Sequence, residues 1–328
     1  MLHQRRQVAA AALLAAGLAS GCLAAPFAYI TNQGSHDVSV IDLASQQVVA
    51  TVAVGRSPAG VVAASRAGRV FVSNPDSRDI SVIDMRAQRV VGTLAAGDGP
   101  VGIDASPDGT RLFAADWYAN RLLVFDAAGS GAQQAPLARI AVGRAPAGVA
   151  ARADNDTVYV AERDDDSVAV VGVRERRVLA RVTVGSHPFA LLFDAARERL
   201  YALNVQSDDV SVIDTRDVRA PRLIATVKVG KAPYGAALAL GGALLYVTNQ
   251  HDDSVSVIDA GTLQVLRTLD GFGYPEGVAS HGDKVYVVNW MDDRVSVLDA
   301  ASGRALHQID TGKNSRGFGA FIGAPLPP

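Results

Sequence analysis

The chain reads as an all-β protein, a seven-bladed β-propeller with four-stranded antiparallel blades. Three observations carry that expectation. A unit of about 42 residues, the length of one four-stranded blade, recurs seven times. Every unit contains alternating, β-branched segments of strand length. The final unit leaves one strand over, so the C-terminal inner strand can pair with the N-terminal strands and close the ring.

The unit opens on an aromatic residue, at Tyr29, Phe71, Phe113, Tyr159, Tyr201, Tyr246 and Tyr286. Blades diverge from the axis, and these rings are expected to fill the wedges between them. Three residues later stands a polar residue: Asn32, Asn74, Asp116, Glu162, Asn204, Asn249 and Asn289. A second strand of the Val-Ser-Val-Ile type follows and closes on Asp42, Asp84, Asp126, Asp214, Asp259 or Asp299, with Gly172 once instead. An Asp there accepts bonds from N–H groups two or three residues on, which starts the turn into a Val-x-x-Thr-Val strand.

A Gly-x-x-Pro step then carries the chain to the inner strand of the next blade. It appears as Gly55/Pro58, Gly97/Pro100, Gly143/Pro146, Gly185/Pro188 and Gly230/Pro233, and more loosely as Gly271/Pro275 and Gly312/Ser315. Glycine is expected there for an unusual φ, and proline for stiffness. The inner strands are the Pro-x-Gly-Val segments, and Gly317–Ile322 is the unpartnered last one. The polar loops after the Asn positions and the Gly-x-x-Pro loops share one face, here called the top.

Residues 26–328 form this single domain, and residues 1–25 read as an export signal. Arg5 and Arg6 precede an apolar run from Val8 to Leu18 that is short for a bilayer span. Cys22, the chain's one cysteine, follows at the position of a bacterial lipobox, though Ala19 stands where Leu is preferred. Lipidation at Cys22 and ordinary cleavage near Ala24 are both open, and either leaves the domain without a disulfide. The expected location is the periplasm or, with the anchor, the outer membrane, to which the lipid would be the chain's only attachment. The net charge of −2 gives no reason to expect nucleic-acid binding. A monomer is expected.

Tyr246-Val247-Thr248-Asn249, followed by Val255-Ser256-Val257-Ile258-Asp259, resembles the signature of YVTN-family, YncE-like propeller repeats. The resemblance spans Phe27 to Gly323 and implies the fold. Related propellers resemble haem d1 domains, quinoprotein dehydrogenase chains and sugar lactonases, so it implies no single activity.

The loops nearest the axis hold Arg56, Arg144, His187, Lys231, Lys313 and Arg316 against Asp98 and Glu276. The expectation is an electropositive channel mouth that binds an anionic small molecule or an envelope protein. Trp117, Tyr118 and Trp290 lie in top loops and are expected to join it, while Phe189, Tyr234 and Tyr274 narrow the mouth. Glu162, Asp164 and Asp166 together suggest a calcium position, without the glycine and distal Glu of an EF-type loop. His187 is the best single candidate for a haem or metal ligand but has no ligand spacing around it. Nucleophile-elbow, zinc-protease, haem-attachment and phosphate-loop motifs are missing. The leading reading is therefore an exported binding or scaffold propeller without a cofactor. The alternative is a periplasmic enzyme or redox accessory of the lactonase, haem d1 or quinoprotein kind.

Mass spectrometry of the mature N-terminus checks the lipobox. Cleavage before Cys22 with added acyl mass is the expected result. A free amine at residue 24, 25 or 26 without that mass removes the anchor.

Overall fold

The computed structural model describes residues 26–129 and 134–325. Cys22 and the export signal lie outside the described residues. Seven four-stranded antiparallel sheets are present among them, arranged as the blades of one ring. A typical blade runs Pro233–Ala239, Leu244–Asn249, Ser254–Asp259 and Val265–Asp270 from the axis outward. The ring closes in the sheet that joins Ile322–Gly323 to Phe27–Asn32, Asp37–Asp42 and Gln47–Ala53.

That closing strand is shorter than expected. Only Ile322 and Gly323 pair in regular register, with Ala28 and Phe27. Upstream, the segment is stitched to both neighbouring blades: Gly277 N–H donates to the Arg316 carbonyl, and Val61 and Ala63 N–H donate to those of Phe318 and Ala320. The C-terminal segment thus swings toward the axis and wedges between the inner strands on either side.

The Tyr-Val-Thr-Asn unit divides its work among its residues. The seven aromatics are all buried and fill the wedges between blades. The hydroxyl of Tyr246 donates to the Ala300 carbonyl of the next blade at 2.8 Å. Thr248 donates across the same gap to the Glu276 carbonyl at 2.7 Å, and Ser73 and Thr31 do likewise to Val101 and Ala59. The buried Asn32 amide donates to Asp37 Oδ1 at 2.6 Å and Ser39 Oγ at 2.9 Å, pinning the top turn. Asn74 and Asn204 repeat this knot. The Asp turns form as expected, with Asp42 Oδ1 accepting from Ala44 and Ser45 N–H.

The glycines of the blade connections serve a different purpose from the expected one. In most connections the positive φ falls on the residue before the proline position: Ser57, Ala145, His187, Ala232, Tyr274 and Asn314. Gly55, Gly143, Gly185, Gly230 and Gly312 are instead held against the buried polar residue of the following blade. A Cβ on Gly55 would lie 2.6 Å from Asn74 Cγ. The connecting loop must seat on the Asn knot, and only a residue without a side chain fits there.

The inner-strand glycines answer the same steric demand at the axis. A Cβ on Gly60, Gly102, Gly148 or Gly235 would run into the carbonyl of Val101, Ala147, Phe189 or Glu276 on the next inner strand. The strands converge so closely that backbone meets backbone. Gly102→Ala is therefore expected to destabilise the domain by about 2–4 kcal/mol through overpacking. Gly92→Ala, in an outer strand with nothing within 4 Å, should change stability by less than about 0.5 kcal/mol. Urea unfolding of the two variants checks the contrast.

Candidate functional site

The residues that converge at the top of the axis are aromatic, with one buried ion pair among them. Pro188, Pro233 and Pro275 begin three consecutive inner strands. They deliver Phe189, Tyr234 and Glu276 to the same height. The inward swing of the C-terminal segment adds Arg316 and Phe318. The Phe189 ring lies 4.7 Å from Tyr234 and 5.0 Å from Phe318, centroid to centroid. Trp117 packs against Phe189 at 6.2 Å, and the Arg163 guanidinium lies over the Trp117 ring, 5.6 Å from its centroid.

Arg316 donates through Nε to Glu276 Oε2 at 2.6 Å and through Nη2 to the Tyr234 hydroxyl. Gln250 donates to the other Glu276 oxygen at 2.8 Å. Glu276 is buried, which pushes its carboxyl up, while the Arg316 charge pulls it down. Burial likewise pushes the Tyr234 hydroxyl up, against the same guanidinium. Arg316 is thus held as a paired cation, and it closes the channel together with the rings.

The expected ring of free basic side chains is not what the structure contains. Arg316 is buried and paired. Arg144 is bound to Asp165 at 2.6 Å, and Lys231 lies 3.6 Å from Asp252. Arg56 turns to the Asp76 carbonyl at 2.7 Å. The reason is geometric: each blade connection rests on the polar loop of the following blade, so the basic residue of one meets the acidic residue of the other. Lys313 makes no ion pair among the described residues. His187 sits among acids, its Nδ1 3.8 Å from Asp166 and its Nε2 4.0 Å from Asp164.

Glu162 is engaged within its own blade and the connection that rests on it. Its carboxylate is fully buried and accepts from Gly143 N–H at 2.6 Å, Ser167 Oγ at 2.6 Å and Arg181 Nε at 2.9 Å. Those donors use the oxygens a cation would need. Among the described residues no three His, Cys, Asp or Glu side chains gather as a metal would require.

Trp290 and Tyr118 do lie in the top loops. Trp290 Nε1 donates to Gln33 Oε1 at 3.2 Å, and its ring lies 5.6 Å from Tyr274. Tyr274 in turn contacts His251, whose Nε2 is 3.2 Å from the Tyr274 hydroxyl. Tyr118 is 75% exposed and Met291, beside Trp290, is 63% exposed. The top face therefore carries two aromatic runs with an exposed apolar side chain next to each tryptophan.

Below the aromatic closure the channel widens into a cavity of about 460 Å³. It is lined by inner-strand backbone and by Ile103, Leu191, Leu192, Phe193 and Phe318. Asp104 is the one charged side chain among the described residues that line it. Its Oδ2 accepts from Ala151 N–H and its Oδ1 from Ala105 N–H, each at 2.8 Å. No motif of the repeat singles out this residue. A signal was available, since the same column of the repeat is otherwise apolar: Val62, Ala150, Leu192, Ala237 and Ala279.

Burial raises the Asp104 carboxyl to about 6, opposed by its two N–H bonds. The folded chain therefore takes up this proton at higher pH than the unfolded chain. The stability it contributes is complete below about pH 4 and is lost as pH rises through about 6. Asp104 is partly exposed to the channel by surface area, so solvent reduces the effect to about 1–2 kcal/mol. Replacement by Asn should remove that decline. Relative to the parent, Asp104→Asn should gain stability between pH 4.5 and pH 7.5, which urea unfolding at both values measures.

Comparison with known proteins agrees with this architecture. The YNCE-like beta-propeller family matches residues 62–155 and 130–326, well over half of the chain. No curated protein sequence matches it. Among solved structures, a chain of Kuenenia stuttgartiensis hydrazine synthase is similar with a TM-score of 0.72 at 18% identity, covering 88% of this chain and 99% of that one. A functionally unknown protein from Desulfotomaculum acetoxidans gives 0.76 at 14% identity, over 92% and 99%. Dihydro-heme d1 dehydrogenase NirN in complex with DHE gives 0.67 at 14%, over 90% and 74%. At these identities the likeness is one of fold.

Proposed function

The chain belongs to the YNCE-like beta-propeller family, and on that ground we propose that it is an exported binding propeller, without catalysis of its own, whose top face docks a protein partner. The observation that carries this reading is the pair of exposed apolar side chains, Tyr118 and Met291, each beside a tryptophan on a loop face rich in charged residues, some of them paired. A polar loop face has no internal use for such groups, and aromatic anchors are what protein interfaces draw on. Lys313, whose loop bonds to Gly34 beside the Gln33 partner of Trp290, supplies a free cation near one anchor. An acidic side chain on the partner is the group it would meet.

Export rests on the apolar run after Arg5 and Arg6. If the chain is anchored at Cys22, the four residues Leu23 to Pro26 reach at most ~14 Å. Phe27 enters from the bottom, so the anchored ring would hold its top face away from the membrane.

Capture from native envelope tests the docking face. Tyr118→Ala combined with Met291→Ser should lose the partner that the parent retains, and Arg66→Ala on the bottom face should keep it. Equal capture by all three removes the top face from the proposal. The hydrazine synthase and NirN likenesses motivate the competing redox reading. A visible chromophore in protein purified from its own periplasm would favour that reading over docking.

A further inference from the structure

The channel cavity holds an ionic group with no counter-ion. The ring's buried carboxylates are each matched by a basic side chain: Asp116 by Arg121, Glu162 by Arg181, Asp194 by Arg197, Asp209 by Lys228, Asp214 by Arg216 and Glu276 by Arg316, whereas Asp104 is half-buried at the channel wall. Asp104 has no ion pair among the described residues, and nothing else that lines the cavity is charged. An uncompensated charge in low-dielectric surroundings is costly, and a bound cation is the simplest group to offset it.

The cavity selects among cations. One carboxylate is too few for a hard divalent metal, which takes six or more oxygen ligands. A volume of about 460 Å³ falls in the range of small-molecule sites. The inner strands are sheet edges, so alternate carbonyl groups face the channel and can accept from an ammonium. Leu191, Leu192, Leu238 and Phe193 offer surface for a hydrocarbon chain. The Phe189, Tyr234 and Phe318 rings close the top. On the bottom side a second cleft, lined by residues 62–66 and by Ser106, Pro107 and Gly109, shares Asp104 and Ala320 with the cavity.

We propose that the channel is a second binding site, separate from the top face, for a small aliphatic ammonium ion that enters from the bottom, places its charge on Asp104 and lays its chain along the leucines. Recognition of this kind requires both halves of the ligand. The carboxylate alone would take any cation, and the apolar wall alone any short alkane.

Hexylammonium and its neutral counterpart 1-hexanol test the proposal on the mature protein at pH 7.5, by calorimetry and by amide chemical shifts. Saturable one-to-one binding of hexylammonium is expected, with hexanol at least tenfold weaker. The shifts should concentrate on Ala105, Ala151 and the neighbouring inner strands. Asp104→Asn should weaken hexylammonium at least tenfold and leave hexanol unchanged. Absence of saturable binding, equal binding of the two probes, shifts confined to the top loops, or undiminished binding by Asp104→Asn would each overturn it. The comparison of probes on the parent protein stands even if the variant fails to fold.

Discussion

The fold depends on how closely seven inner strands approach one axis. At Gly60, Gly102, Gly148 and Gly235 there is no room for a Cβ, because the next strand's carbonyl occupies that space. This contact sets the ring's diameter and places the wedge aromatics. It also brings Thr and Ser side chains within reach of neighbouring carbonyls. A ring this tight leaves its open space on the axis to the lower channel. The C-terminal segment takes up what remains near the top, bonded to the strands on both sides.

The polar residues at the strand ends tolerate exchange only with compensation. Asn32, Asn74 and Asn204 donate to an Asp and a Ser within their own blade. Where Asp116 and Glu162 replace Asn, the group becomes an acceptor, and the blade changes around it. Asp116 accepts from Asp98 and Gly99 N–H and pairs with Arg121. Glu162 accepts from Gly143 N–H and pairs with Arg181. Both carboxylates are buried, and removing either arginine would leave an unpaired charge inside the ring, which is typically worth several kcal/mol, on the order of 3–5.

The same packing divides the axis into two chemically different ends. The top is filled by rings and by the Arg316–Glu276 pair, so contact there is with a surface rather than with a deep pocket. The lower channel is open, apolar and singly charged. The two ends are separated by the Phe189, Tyr234 and Phe318 cluster.

The repeat by itself determined the number of blades, the strand order, the ring closure and the buried aromatics. Each of these follows from residues a fixed distance apart in one unit, and local spacing is what a sequence displays. Only the tertiary structure decided the state of the charged residues. Arg316 and Glu276 stand 40 positions apart, and they pair because two inner strands meet at the axis. Arg144 and Asp165 pair because a connection rests on the following blade's loop. Arg144, Lys231 and Arg316 look free when read along the chain, and are paired once the blades are closed around them. Asp104 is the reverse case. It lies in a strand with no motif around it, and it becomes the one charged side chain among the described residues lining the lower cavity because the ring assembles apolar neighbours around it.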